Sequence, residues 1–173
     1  MLKQVQHDEL RKTASTAYCA RMNDIPGFDL DDFVQRVLAE DLGTGGDVTS
    51  KTTIGEEARF TAEMNCREPI VVAGIDIAVA FFRELDSEVG IEALAKDGDK
   101  LEAGTVLMRL EGQAQAMLTA ERSALNTLQH LSGIATLARR YVDAIAGTGA
   151  VLLDTRKTVP GLRALEKYAA RMG

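Results

Sequence analysis

The sequence contains no tryptophan, and aromatic residues make up only 5% of it. A nucleic-acid surface built from basic stripes interleaved with stacking rings is therefore not expected. An excess of positive charge is missing too, since the formal charge is -6, and this argues against a polyanion-binding face spread over the whole protein. Cysteine is nearly absent: Cys19 and Cys66 stand far apart without CxxC spacing, and the only histidines are His7 and His130. Neither a disulfide framework nor a closed zinc site follows from so few ligands, and two buried thiols packed as small hydrophobes is the plainer reading. No apolar run approaches the roughly 20 residues that span a bilayer, and the first 27 residues hold no apolar core of signal-peptide length. The expectation is a cytoplasmic protein with no membrane and no nucleic-acid partner.

With 173 residues, 46% of them hydrophobic, the chain can bury a substantial core. From Asp29 to Asp41, Leu30, Phe33, Val34, Val37 and Leu38 share one helical face, and the run Gly43, Thr44, Gly45, Gly46, Asp47 ends that helix as a turn. It lacks the spacing and the Lys-Ser/Thr ending of a phosphate loop. Strand-like patterning follows over Ala58 to Cys66 and Ile70 to Ala73, then a helix from Ile75 to Leu85 carrying Ile77, Phe81 and Leu85. Two further strands, Ile91 to Ala95 and Val106 to Leu110, are separated by turn residues Asp97 to Lys100 and Ala103-Gly104.

Leu118 to Ala146 carries leucine and alanine at helical spacing, with an interruption expected at Ser132-Gly133. A short apolar strand, Ala150 to Leu153, is then expected to lead through residues 154–161 into a helix from Leu162 towards Met172. Such a β-loop-α unit places its loop where α/β barrels carry their chemistry.

That stretch is also where charge concentrates. Between Asp154 and Gly173, five basic side chains (Arg156, Lys157, Arg163, Lys167, Arg171) face only two acidic ones, Asp154 and Glu166. A cationic segment in an acidic protein suits an anion such as a carboxylate or phosphate. Arg163, Lys167 and Arg171, four residues apart, read as a solvated helix face. Arg156 and Lys157, adjacent and directly after the expected strand, have no such structural purpose. Arg122 beside Glu121 is accounted for by a surface ion pair, and His130 between leucines reads as a packed, hydrogen-bonded residue. No Ser-His-Asp arrangement or paired acid and base carboxylates can be recognised.

Four ordered motifs closely resemble the quinolinate phosphoribosyltransferase family: EDLGTGGDVT at 40–49, ERSALNTLQHLSGIAT at 121–136, DTRKTVPGLR at 154–163 and EKYA at 166–169. The resemblance implies an α/β protein made of an N-terminal α+β sandwich (29–117, after an extension at 1–28) and the beginning of an open α/β barrel (118–173). It further implies transfer of phosphoribose from phosphoribosyl pyrophosphate to quinolinate with decarboxylation. The product would be nicotinate mononucleotide, in NAD biosynthesis, with Mg²⁺ bound mainly through substrate phosphates and no dedicated metal ligands. A homodimer is implied in which Arg122 enters the partner's quinolinate pocket, while Thr155, Arg156 and Lys157 bind the substrate and Lys157 is also assigned to catalysis. The sequence stops at Gly173, where the family continues into a glycine run, a histidine-arginine pair, a further lysine and later acidic residues. The expectation is an incomplete barrel and little or no turnover by this chain alone. Two alternatives remain at this point. One is a same-fold paralogue linked to molybdate transport, and the other is a biotinyl or lipoyl carrier suggested by GDKLEAGTVL at 98–107.

Overall fold

The computed structural model describes residues 25–173, so His7, Cys19 and nearly all of the 1–28 extension lie outside the described residues. Helix α1 (Leu30–Leu42) begins where Asp29, in extended conformation, accepts the Asp32 amide through its side chain at 3.0 Å. An aspartate in that position satisfies one of the orphan amides of a first turn. The helix buries Leu30, Phe33, Val34 and Leu38 and ends at Gly43, whose positive φ of 51° suits a residue without Cβ. The glycine run is indeed a turn, but it feeds a short helix the sequence reading did not anticipate, α2 (Val48–Thr53), capped by Asp47 on the Ser50 amide at 2.9 Å.

β1 (Arg59–Asn65), β3 (Gly90–Ala93) and β5 (Val106–Gln113) form an antiparallel sheet in the order β1-β5-β3. Met64 and Ala93 both register with Met108 on the central strand, and Met108 is completely buried. β2 (Ile70–Val71) pairs antiparallel with β4 (Lys100–Leu101). β4 falls inside a stretch read as turn, and β2 stops two residues before the expected Ala73. Helix α3 (Ile75–Leu85) has the bounds that its periodicity gave. Helix α4 (Ala114–Ala144) runs 31 residues, and α5 (Arg163–Met172) closes the described fold.

α4 is the spine: α3, α5 and β2 pack along it, with α1 and α2 near its N-terminal part. Two expectations are corrected on either side of its end. The break at Ser132-Gly133 does not occur: Ser132 serves packing, and the helix runs on through the exposed Gly133. Ser132 is buried and its hydroxyl meets the Ala73 amide at 3.1 Å, and Thr136 accepts the Val71 amide at 2.8 Å, so the backbone after β2 docks directly on the helix. The strand expected from Ala150 to Leu153 is also absent: these residues are irregular, and Val151 and Leu153 are each 78% exposed. A strand is defined by a hydrogen-bonded neighbour, and every sheet pairing among the described residues is made elsewhere and is antiparallel.

The core joins α1, α3, α4, α5 and both sheets. Phe81, Ile75, Ile77, Met108, Leu131 and Leu165 are among its largest fully buried side chains. Among the described residues no helix is long and apolar enough to cross a membrane. Cys66 is a buried free thiol donating to the Glu102 carbonyl at 3.1 Å, as a packed structural cysteine does.

Candidate functional site

Residues 154–159 form a loop between the end of α4 and the start of α5, and α5 grips it from both sides. Lys167 Nζ reaches the Asp154 carboxylate at 2.5 Å. Glu166 accepts the Val159 amide at 3.2 Å, and Arg163 Nε donates to the Thr158 hydroxyl at 3.3 Å. Within the loop, the Thr155 hydroxyl accepts the Lys157 amide at 3.1 Å. The side chains of Arg156 and Lys157 are exposed, and among the described residues no hydrogen bond or ion pair engages either. Two of the three residues read as a solvated face, Arg163 and Lys167, thus hold the loop; Arg171 is exposed as expected.

α5 in turn is fixed to the body. Leu165 and Ala169 are buried in the core, and the Tyr168 hydroxyl donates to Asp97 at 2.5 Å. Asp97 already accepts the Gly74 and Ile75 amides at 2.8 and 3.0 Å, so one carboxylate caps α3 and anchors α5 together. An open cleft of about 530 Å³ lies beside this junction, lined in part by Asp76, Lys96, Asp97, Tyr168 and Met172. None of the four residues singled out by resemblance lines it.

Arg122 is placed separately, in the N-terminal third of α4. Its side chain is 71% exposed and one guanidinium nitrogen meets Asp41 at 2.9 Å, so its ion partner comes from the end of α1 rather than from the adjacent Glu121. Asp47 lies next to this pair, accepting the Thr119 hydroxyl at 2.9 Å as well as capping α2. Hydrogen bonds from the Ser50 side chain, the Ser50 amide and the Thr119 hydroxyl, with the Arg122 charge nearby, hold the Asp47 carboxyl below its ordinary value near 3.8. A carboxyl depressed in the folded state adds stability above its unfolded pKa and loses it as pH falls through the folded value. The thermal midpoint of the protein should therefore fall less steeply below about pH 4 in Asp47→Asn than in the unsubstituted chain. Parallel curves of midpoint against pH would remove Asp47 from the acid response.

The structure brings Thr155, Arg156 and Lys157 together on one braced loop, and among the described residues no hydrogen bond or ion pair joins them to Arg122. The sequence reading missed Asp41, Asp47, Thr119 and Glu166 as supporting groups. The signal for Asp47 was present: an aspartate three residues before Ser50 matches a helix cap. His130 is hydrogen-bonded as expected, to Glu166 on α5 at 3.0 Å, but it is exposed rather than packed.

The described residues thus form an α/β fold that carries two exposed, adjacent cations, Arg156 and Lys157, on one braced loop. Comparison with known proteins places that fold in a class. A family model described as "Quinolinate phosphoribosyl transferase, N-terminal domain" matches residues 47–132, and the corresponding C-terminal domain model matches residues 134–173. The chain is 44% identical over 144 residues to a nicotinate-nucleotide pyrophosphorylase [carboxylating] of Mycobacterium leprae, covering 82% of this chain and 51% of that relative. It is 43% identical over 148 residues to a probable enzyme of the same name from Synechocystis, covering 86% and 50%. Among solved structures, nicotinate-nucleotide pyrophosphorylases of Ehrlichia chaffeensis and Francisella tularensis superpose with TM-scores of 0.80 and 0.79 at 37% and 38% identity. These cover 85% and 86% of this chain and 53% of each structure. This chain belongs to the quinolinate phosphoribosyltransferase family, a family of pentosyltransferases. It spans about half the length of the curated relatives it matches.

Proposed function

We propose that this chain contributes the quinolinate-binding half of an enzyme that transfers phosphoribose from phosphoribosyl pyrophosphate to the quinolinate nitrogen. Carbon dioxide and pyrophosphate leave, and nicotinate mononucleotide is formed. The observation that carries this reading is the pair Arg156 and Lys157, exposed and without ion partners among the described residues, on a loop held from both ends by α5. Quinolinate carries two adjacent carboxylates. A guanidinium offers paired donors in the plane of a carboxylate, and an ammonium supplies a compact charge beside it, so neighbouring Arg and Lys suit such a dianion. Thr155 contributes by closing the turn that sets Lys157 beside Arg156.

Chemistry at the sugar asks the protein to position and to neutralise charge rather than to supply a strong nucleophile, because the ribosyl carbon becomes cation-like as pyrophosphate departs. Lys157 is the group we assign to both binding and catalysis, since a cation near the ring steadies the electron pair left when carbon dioxide is lost, until that ring carbon takes up a proton from water. Mg²⁺ bound mainly through substrate phosphates, as the family resemblance implies, would neutralise charge on the leaving pyrophosphate.

The reading includes a homodimer in which Arg122 reaches into the partner's pocket. Its support is the exposure of that side chain and, among the described residues, its one hydrogen bond, to Asp41. Thermal protection is the direct test. Quinolinate at millimolar concentration should raise the melting temperature of this chain, whereas nicotinate, with one carboxylate fewer, should raise it much less. Equal response to both, or to neither, would overturn the assignment.

A further inference from the structure

Resting on that reading of the 154–159 loop, we infer that Glu166 is a positioning residue for Arg156 and Lys157, acting through the Val159 amide with His130 as its support. The Glu166 side chain is only 11% exposed, and both of its oxygens are used. Oε2 accepts the Val159 amide at 3.2 Å, and Oε1 meets His130 Nε2 at 3.0 Å. A carboxylate can only accept, so His130 carries its proton on Nε2 in this contact. One carboxylate therefore ties three pieces of chain together: the spine helix α4, the first turn of α5 and the distal end of the cationic loop. Lys167, one residue on, holds the proximal end through Asp154.

The consequence for the loop is specific. With Asp154 and Val159 fixed, residues 155–158 form a short bridge whose amide at Lys157 is also bonded, so Arg156 and Lys157 project from a backbone with little freedom. Ordering a loop before its ligand arrives removes that cost from binding. In this inference neither Glu166 nor His130 touches the substrate; their role runs through the loop.

The test is Glu166→Gln in the 173-residue chain, an isosteric change that leaves one acceptor oxygen where two donors need one each. Amide exchange at Lys157 and Val159, followed by NMR, should quicken about tenfold, as expected for losing one partly buried hydrogen bond. Exchange in β5 should stay unchanged, which a general loss of stability would not allow. The dissociation constant for quinolinate, measured by calorimetry on the same samples, should rise by a similar factor. His130→Ala, at a side chain 40% exposed, provides a second variant that leaves the core intact and should shift both readouts the same way by less.

Unchanged exchange at Lys157 and Val159 in both variants overturns the inference, and so does faster exchange with unaltered quinolinate affinity. If the unsubstituted chain binds no quinolinate, the proposed function fails by itself. The exchange measurement still decides whether Glu166 sets the loop.

Discussion

Arg156→Ala should weaken quinolinate binding by about ten- to a hundredfold, which corresponds to about 1.5–3 kcal/mol for a hydrogen-bonded charge. The size of the effect follows from the geometry. Arg156 has no internal partner among the described residues, so its removal relieves nothing inside the protein and leaves no buried acceptor unpaired. The whole cost falls on the ligand. Arg156→Lys should recover only part of the loss, because an ammonium keeps the charge but not the planar pair of donors that meets a carboxylate in two bonds. Calorimetric titration of the three proteins with quinolinate checks this ordering, and the alanine variant should melt at the same temperature as the unsubstituted chain. Equal affinity in all three would remove Arg156 from the site.

Phe81→Ala is expected to have the largest effect on stability, about 3–5 kcal/mol, a sizeable part of what a domain of this size possesses. Phe81 is fully buried in α3 and meets the Phe33 ring edge-on, with centroids 6.1 Å apart, while Phe33 in turn contacts Phe28. The ring therefore couples α3 to α1. Truncation leaves a cavity between two helices that α4 holds in place, and that framework limits collapse into the space. Chemical denaturation should show the midpoint shifted with the slope unchanged. The thermal midpoint should fall on the order of ten degrees. A loss below about 1 kcal/mol would mean that the helices close over the cavity and that the core is far more compliant than its packing indicates.

Much of the fold could be read along the chain, and particular elements show why. α3 has the bounds its pattern gave because Ile77, Phe81 and Leu85 recur at helical spacing next to Gly74. At Gly74, φ is +103° and a Cβ would lie 2.9 Å from Leu131. The long α4 was legible in type but not in continuity. Ser132-Gly133 looks like a break in a list of residues, whereas in space Ser132 is the point at which the chain after β2 comes against the helix. β4 and α2 escaped because elements of two and six residues carry too little periodicity to stand out. The 150–153 run was misread for the opposite reason. Its apolar character is genuine, but hydrophobicity specifies a strand only where a neighbour supplies hydrogen bonds.

For the site, the sequence by itself determined the chemistry: which residues are cationic, that Arg156 and Lys157 adjoin, and that DTRKT, ERSALNTLQH and EDLGTGGD occur in one order. Charge and residue type are local properties, so a one-dimensional pattern retains them. Only the tertiary structure decided which cations are free. Arg163 and Lys167 read from their spacing as a solvated face, yet they are bound to Thr158 and Asp154, whereas Arg156 and Lys157, set apart by their adjacency, have no partner among the described residues. It also paired Arg122 with Asp41 from another helix and gave Glu166 its two partners. Such contacts join residues from 7 to 81 positions apart. They depend on how α1, α4 and α5 pack, and that packing follows from burying Leu131, Leu165 and their neighbours in a single core rather than from any local signal.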